Sequence, residues 1–295
     1  MTKTAFIAIV GCPNVGKSSI LNKMLGVKIA IVSSKPQTTR TKIMGVLTEG
    51  ETQLVFTDTP GYHKPHNKLG EKMYKAVGDS LGGIDGCLFV TESKGELKKG
   101  EAELIEKFKK LGAPVILAIN KIDMLSDKEE LLKRIIMFNS LYDFAAIVPV
   151  CAATGEHIDE LKEEMEKLAV DSPHFFPDDT LTDQPERVLA AEIIREKILR
   201  LMDKEVPHGI AVSIEKMRER DNADILDIEA TIYCERETHK GMVIGKKGAM
   251  LKKISTFARQ DLEGFFGIKV NLQTWVKVKE DWRNREGLIH NFGLD

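Results

Sequence analysis

The sequence predicts an α/β fold with a mostly parallel sheet, followed by a smaller α+β unit. Three observations carry that prediction. Continuous apolar runs alternate with amphipathic segments as far as about Val170. Such runs suit a parallel sheet covered by helices on both faces. A Pro- and Asp-rich stretch then interrupts the pattern. Beyond it, short strands with alternating apolar residues lie among helical segments.

The first strand is Ala5-Phe6-Ile7-Ala8-Ile9-Val10. It runs into Gly11-Cys12-Pro13-Asn14-Val15-Gly16-Lys17-Ser18-Ser19, which opens a helical pattern. Strand, glycine-rich loop and helix together make a phosphate-binding P-loop. A helix N-terminus offers unpaired N–H groups and partial positive charge to a phosphate. Lys17 is expected to reach the β- and γ-phosphates, and Ser18 to ligate Mg²⁺.

The next segment, Ser33 to Thr41, is polar and aperiodic and reads as a mobile loop. A threonine there is expected to close over Mg²⁺ and the γ-phosphate; Thr39 is favoured, with Thr38 as the alternative. The strand Gln53 to Thr57 leads into Asp58-Thr59-Pro60-Gly61-Tyr62. Asp58 is placed to hold Mg²⁺, and the Gly61 N–H to meet the γ-phosphate. Taken alone, Asp-Thr-Pro-Gly is a good turn sequence.

Two further apolar runs, Cys87 to Val90 and Pro114 to Ile119, read as buried strands. The second leads to Asn120-Lys121-Ile122-Asp123. That segment looks like the guanine-reading signature of GTPases, in which a carboxylate at the Asp123 position accepts from both N1–H and the 2-amino group of guanine, a donor pair adenine lacks. GTP is therefore preferred to ATP. The strand Ala146 to Pro149 precedes Cys151-Ala152, which resembles the slot where GTPases usually carry Ser-Ala with backbone contacts to the base. Cys151 in place of Ser is expected to lose the hydroxyl contact. Helices are read over Glu101 to Leu111 and His157 to Leu168.

Asp171 to Asp179 contains two prolines, three aspartates and the pair Phe175-Phe176, expected to pack it against a domain. The expected organisation is a nucleotide-binding domain over 1–170, a linker over 171–186 and a second domain over 187–295. The second domain reads helix, strand, strand, helix, helix, strand. Ile228, Ala230, Ile232 and Cys234 alternate as in a half-buried strand. Gly245-Lys246-Lys247-Gly248 follows Ile244 and precedes the helical run from Met250 to Leu262, which carries Lys252 and Lys253. No acidic residue falls between Lys240 and Arg259. That local cationic face suits nucleic-acid phosphate. Trp275 and Trp282 stand beside lysines and arginines, where aromatics can stack on bases, although core packing suits Trp275 in its strand.

At 295 residues and 42% hydrophobic content, two packed cores are feasible. A net charge of −2 does not itself announce nucleic acid. Four scattered cysteines suggest a reducing cytoplasm rather than a disulfide framework or zinc site. The first apolar run is short and belongs to a strand, so no leader is read there, and no run approaches the roughly 18 residues of a membrane span.

Pro13-Asn14-Val15 in the P-loop, Gln37-Thr38-Thr39-Arg40 and Asp58-Thr59-Pro60-Gly61 together resemble the Era family of GTPases. The second domain resembles a type II KH domain, with Ile244 lining its groove and Gly245 to Gly248 clamping single-stranded RNA. The resemblance implies an α/β P-loop GTPase domain with a mostly parallel sheet and an α+β type II KH domain. It implies binding of the 16S rRNA 3′ end and assistance to 30S subunit maturation. A cytoplasmic monomer is expected, and the resemblance allows peripheral contact with the inner face of the cell membrane. Tyr62 stands where Ras-like enzymes place the water-orienting Gln, so slow intrinsic hydrolysis is expected. Asn14 is a candidate K⁺ ligand, because some relatives with Asn there use K⁺; loop-stabilising hydrogen bonds are its alternative role. Lys17, Thr39 and Gly61 are the expected catalytic set.

Overall fold

A computed structural model describes residues 1–202 and 206–294. Within them the chain forms two compact units, one of Met1–Val32, Thr39–Pro65 and Gly70–Asp183, the other of Ser33–Thr38, His66–Leu69 and Gln184–Asp295.

The first unit carries a seven-stranded sheet. Its strands are β1 (Lys3–Val10), β2 (Ile43–Glu49), β3 (Thr52–Asp58), β4 (Gly86–Glu92), β5 (Val115–Asn120), β6 (Ala146–Pro149) and β7 (Val170–Asp171). They run in the order β2-β3-β1-β4-β5-β6, with β7 antiparallel beside the start of β1. β3, β1, β4, β5 and β6 are mutually parallel; β2 is antiparallel to β3. From β1 the chain proceeds to β3 on one side and β4 on the other. Ligands of such sheets bind at the carboxyl ends of strands at this switch point.

Residue periodicity sorts the core into two layers. Ile7, Ile9, Leu88, Val90, Ile116 and Ala118 share one cluster. Their neighbours Ala8, Val10, Cys87, Phe89, Leu117 and Ile119 share the other. Side chains alternate across a strand, so a run apolar at every position fills both faces. Helices α1 (Lys17–Leu25) and α5 (Ile158–Glu166) supply Ile20, Leu21, Leu161 and Met165 to the first layer. Helices α2 (Lys68–Asp79), α3 (Lys99–Phe108) and α4 (Lys128–Leu141) supply Val77, Leu104, Ile105 and Phe138 to the second.

Residues 171–183 do not hang free of the sheet. The buried Gln53 amide accepts from the backbone N–H groups of Phe175 (2.8 Å) and Phe176 (3.1 Å) and donates to the Phe176 carbonyl (2.9 Å). Val46 N–H donates to Leu181 O at 2.9 Å, and the Thr182 hydroxyl to Met44 O at 2.6 Å. The strap thereby covers part of the open edge of β2. Phe175 sets its ring edge-on to Phe6 at 5.0 Å while remaining 59% exposed.

The second unit contains α6 (Glu186–Leu201), β8 (Ile210–Arg220), β9 (Ala223–Cys234), α7 (Glu237–Ile244), α8 (Ala249–Phe266), β10 (Lys269–Val278) and α9 (Glu286–Asn291). Its sheet runs β10-β9-β8, with β9 antiparallel to β8 and parallel to β10. Ile228, Ala230, Ile232 and Cys234 face a core with Ile194, Ile198, Ile254, Ala258 and Leu262. The fold corrects the stacking reading of Trp282. That side chain is fully buried, donates its indole N–H to Gly209 O at 3.0 Å and meets Phe292 edge-on. Trp275, on the edge strand β10, is 44% exposed.

Candidate functional site

The loop between β1 and α1 is built around close backbone approach. At Gly16 φ is +99°, and a Cβ there would sit 2.1 Å from the Asn120 amide nitrogen. Only glycine fits, for both reasons. Lys17 opens α1 and is buried; its ammonium donates to the carbonyls of Gly11 and Cys12, each at 3.1 Å. Burial lowers its pKa, and the Asp58 carboxylate opposes that shift. Cys12, Val15 and Gly11 are buried, Pro13 half-buried and Asn14 exposed, with Asn14 in the left-handed region at φ 64°. Ser19 sits half-buried on α1. Burial pushes the Cys12 thiol up to about 11, so it is protonated near neutrality.

Asp58 ends β3 beside Ile9, one residue short of the P-loop. It is fully buried, and burial pushes its carboxyl up to about 6 despite the Lys17 cation and the Ser18 hydrogen bond. Its Oδ2 accepts from Ser18 Oγ at 2.6 Å, and Ser18 Oγ lies 2.9 Å from Thr39 Oγ1. Asp58 Oδ1 is buried without a hydrogen-bond partner among the described residues. A buried carboxylate oxygen left unpaired is costly, so this atom is suited to ligate a cation. The donors are all hard oxygens, two hydroxyls and one carboxylate, as Mg²⁺ prefers. Thr38 instead turns into its own loop, bonded to Ser33 Oγ and Lys35 O, both at 2.7 Å.

Beyond Asp58, Thr59 is tied by its hydroxyl to Ile9 O at 2.8 Å, and Pro60 is buried. Gly61 lies so close to the P-loop that a Cβ would come within 2.7 Å of Pro13 Cα. Tyr62 N–H donates to Gly11 O at 3.0 Å. Its side chain is buried against Tyr74, hydroxyl to hydroxyl at 2.8 Å, with the Lys107 ammonium 4.6 Å from its ring centre. The phenol is thus committed to the core. His63, which the sequence reading passed over, places Nδ1 2.7 Å from Gly61 O. A carbonyl only accepts, so Nδ1 carries a proton, and Nε2 is buried with no hydrogen-bond partner among the described residues.

At the next strand ends, Asn120 donates to Val15 O at 2.8 Å and accepts from Ala152 N–H at 3.1 Å. Lys121 donates to Asn14 O at 2.7 Å. The phosphate loop and the Asn120–Asp123 loop are therefore joined twice. Asp123 is exposed, and its Oδ1 accepts from the buried Cys151 thiol at 3.1 Å. Sulfur at position 151 thus supplies a side-chain contact of its own, to the Asp123 carboxylate.

In the second unit, Gly245 ends α7 and Gly248 caps α8 in the left-handed conformation. The two lysines between them are exposed, as are Lys252 and Lys253 on the first turns of α8. These four lysines make no ion pair among the described residues. Lys240 and Arg259, by contrast, pair with Glu237 and Glu263. Ile244 is half-buried beside the turn.

Residues 6–121 match the family described as 50S ribosome-binding GTPase, and residues 205–283 match the KH domain. GTPase Era of Clostridioides difficile (strain 630) is 50% identical over 295 residues, spanning 100% of this chain and 99% of that one. The chain belongs to the Era family of GTPases. GTPase Era of Clostridium tetani (strain Massachusetts / E88) is 46% identical over 294 residues, 99% of each chain. An Era structure in complex with MgGDPNP and nucleotides 1506–1542 of 16S ribosomal RNA superposes with TM-score 0.96 at 40% identity, covering 100% of this chain and 99% of that one. A point variant of Aquifex aeolicus Era bound to GDP.AlF4- gives TM-score 0.95 at 40% identity, covering 99% of each chain. This Era-family chain is thus a GTP-hydrolysing enzyme with a KH RNA-binding domain.

Proposed function

We propose that this GTPase is a nucleotide-controlled RNA-binding switch that engages the 3′ end of 16S rRNA and assists maturation of the 30S subunit. One observation carries the reading: the full-length likeness to an Era captured with MgGDPNP and that RNA segment. The Gly245–Gly248 turn supports it, because unpaired lysines on a glycine turn neutralise phosphates that come close to the backbone.

In this reading Gly11 to Ser19 cradle the phosphates, and Lys17 leaves its carbonyl partners to meet the β- and γ-oxygens. Ser18, Thr39 and Asp58 hold Mg²⁺, which when bound neutralises charge on the phosphate oxygens. Asp58, Thr59, Pro60, Gly61 and Tyr62 form the segment that senses the γ-phosphate, with the Gly61 N–H as donor. Asn120, Lys121 and Asp123, with Cys151 and Ala152, read guanine. With Tyr62 buried, no side chain at that position orients the attacking water, which accords with slow intrinsic turnover. Asn14 is the proposed K⁺ ligand; equal rates in Na⁺ and K⁺ would remove that role. Ile244, Gly245, Lys246, Lys247, Gly248, Lys252 and Lys253 form the RNA contact. A cytoplasmic monomer with peripheral membrane contact completes the proposal; no helix among the described residues is long and apolar enough to cross a membrane.

The test is fluorescence anisotropy of a labelled 16S 3′-end oligonucleotide against a scrambled one, with GDP or a non-hydrolysable GTP analogue. Tighter, sequence-selective binding in the GTP form is expected. Equal binding of both RNAs in both states would overturn the reading.

A further inference from the structure

We propose that Glu92 is a positioning residue for nucleotide retention, holding Lys121 against the phosphate loop so that the phosphate-binding and base-reading loops release together. The inference rests on the base-reading assignment of Asn120 to Asp123.

Glu92 ends β4 in register with Asn120 at the end of β5. Its Oε1 accepts from the Lys121 ammonium at 2.5 Å, and its Oε2 from Lys98 at 2.5 Å. The same Lys121 ammonium donates to Asn14 O at 2.7 Å. One cation therefore spans a carboxylate on β4 and a carbonyl of the P-loop. A lysine stem is flexible, and its ammonium has no fixed direction. One carbonyl accepts a hydrogen bond from it but brings no opposite charge; the carboxylate adds Coulomb attraction to its hydrogen bond.

The backbone that carries the carboxylate is itself braced. The Glu92 carbonyl accepts from Arg134 Nε at 3.2 Å, and Arg134 forms a buried ion pair with Glu101 at 3.2 Å. Ser93 donates its N–H to Asn120 O at 2.8 Å and its hydroxyl to Lys121 O at 2.7 Å. The strand end thus fixes both the backbone and the side chain of Lys121. Burial alone would raise the Glu92 carboxyl, but the hydrogen bonds from Lys121 and Lys98 more than offset it and hold the group below the ordinary range. Glu92 is ionised at neutral pH, as the bridge requires.

The experiment is stopped-flow release of a fluorescent N-methylanthraniloyl GDP from the full chain. Glu92→Gln should accelerate release about tenfold, the scale of one charge-assisted contact. Lys121→Gln should do the same. The double variant should release no faster than the faster single, because the two act through one contact. Glu96→Gln, the same charge change on an exposed residue nearby, should release at the wild-type rate. Wild-type release from Glu92→Gln, multiplied effects in the double variant, or equal acceleration by Glu96→Gln would each overturn the proposal. Should Glu92→Gln not fold, Glu92→Asp carries the test, since it keeps the charge but withdraws it from Lys121. Faster release supports the proposal and a wild-type rate overturns it. Base preference in Asp123→Asn is read separately: retained guanine selectivity there would sink the base-reading assignment whatever Glu92 does.

Discussion

The Cys151 thiol donates to the Asp123 carboxylate across 3.1 Å, from a position with no solvent exposure. A thiol is a weak donor, whereas a hydroxyl is a full one. Cys151→Ser should therefore orient Asp123 more firmly. The expected gain is about 0.5–1 kcal/mol, or roughly two- to fivefold tighter GDP binding by titration calorimetry. Equal or weaker binding would mean that Asp123 is oriented by its turn alone.

The Lys17 ammonium contacts both the Gly11 and Cys12 carbonyls and faces Asp58 electrostatically. Lys17→Ala is expected to abolish GTP hydrolysis in a phosphate-release assay. Unchanged turnover would remove Lys17 from the chemistry.

Exposed Lys246 and Lys247 lie on a turn whose glycines leave the backbone open. Replacing both by Glu should weaken RNA binding and flatten the dependence of log affinity on log salt by roughly 1.4, for two single-strand phosphates. Salt titrations of anisotropy would read this. An unchanged slope would make the segment a plain connection between helices.

His174 gives a pH dependence. Its Nδ1 lies 2.7 Å from Asp178 Oδ1 and its Nε2 3.1 Å from Glu51 O. Both partners only accept, so both nitrogens donate, which requires the imidazolium. The Asp178 hydrogen bond first, then that to Glu51 O, raises the pKa above the ordinary histidine value. A group raised on folding contributes fully below its unfolded value, about 6.5, and the contribution is lost as pH rises through the folded value. The gap in melting temperature between wild type and His174→Gln should therefore narrow from pH 6 to pH 9. A constant gap would mean the ring is neutral in the fold.

Much of this architecture was legible because local pattern and tertiary demand agree. Ile7, Ile9 and Ala8, Val10 divide between two core layers as a run apolar at every position must. The P-loop was legible because glycines, a lysine and a serine at fixed spacing have few other uses. The choice of Thr39 over Thr38 was open in the sequence; neighbouring threonines differ only in which way the chain turns. Glu92 was invisible because its role lies in a partner 29 residues away, which no periodicity encodes. Trp282 misled for a similar reason: flanking charges suggested a wet surface, but one carbonyl at Gly209 and the Phe292 ring make a buried seat for it.

The strap over β2 matters most while the protein is being made. Translation runs from the N-terminus, so all seven strands of the first sheet emerge before Leu181 and Thr182 arrive to pair with the β2 backbone. Until then β2 offers bare amides and carbonyls to any extended chain nearby. A fragment stopped at residue 170 would keep that exposed state permanently and clump, whereas one carried through Asp183 would stay dispersed.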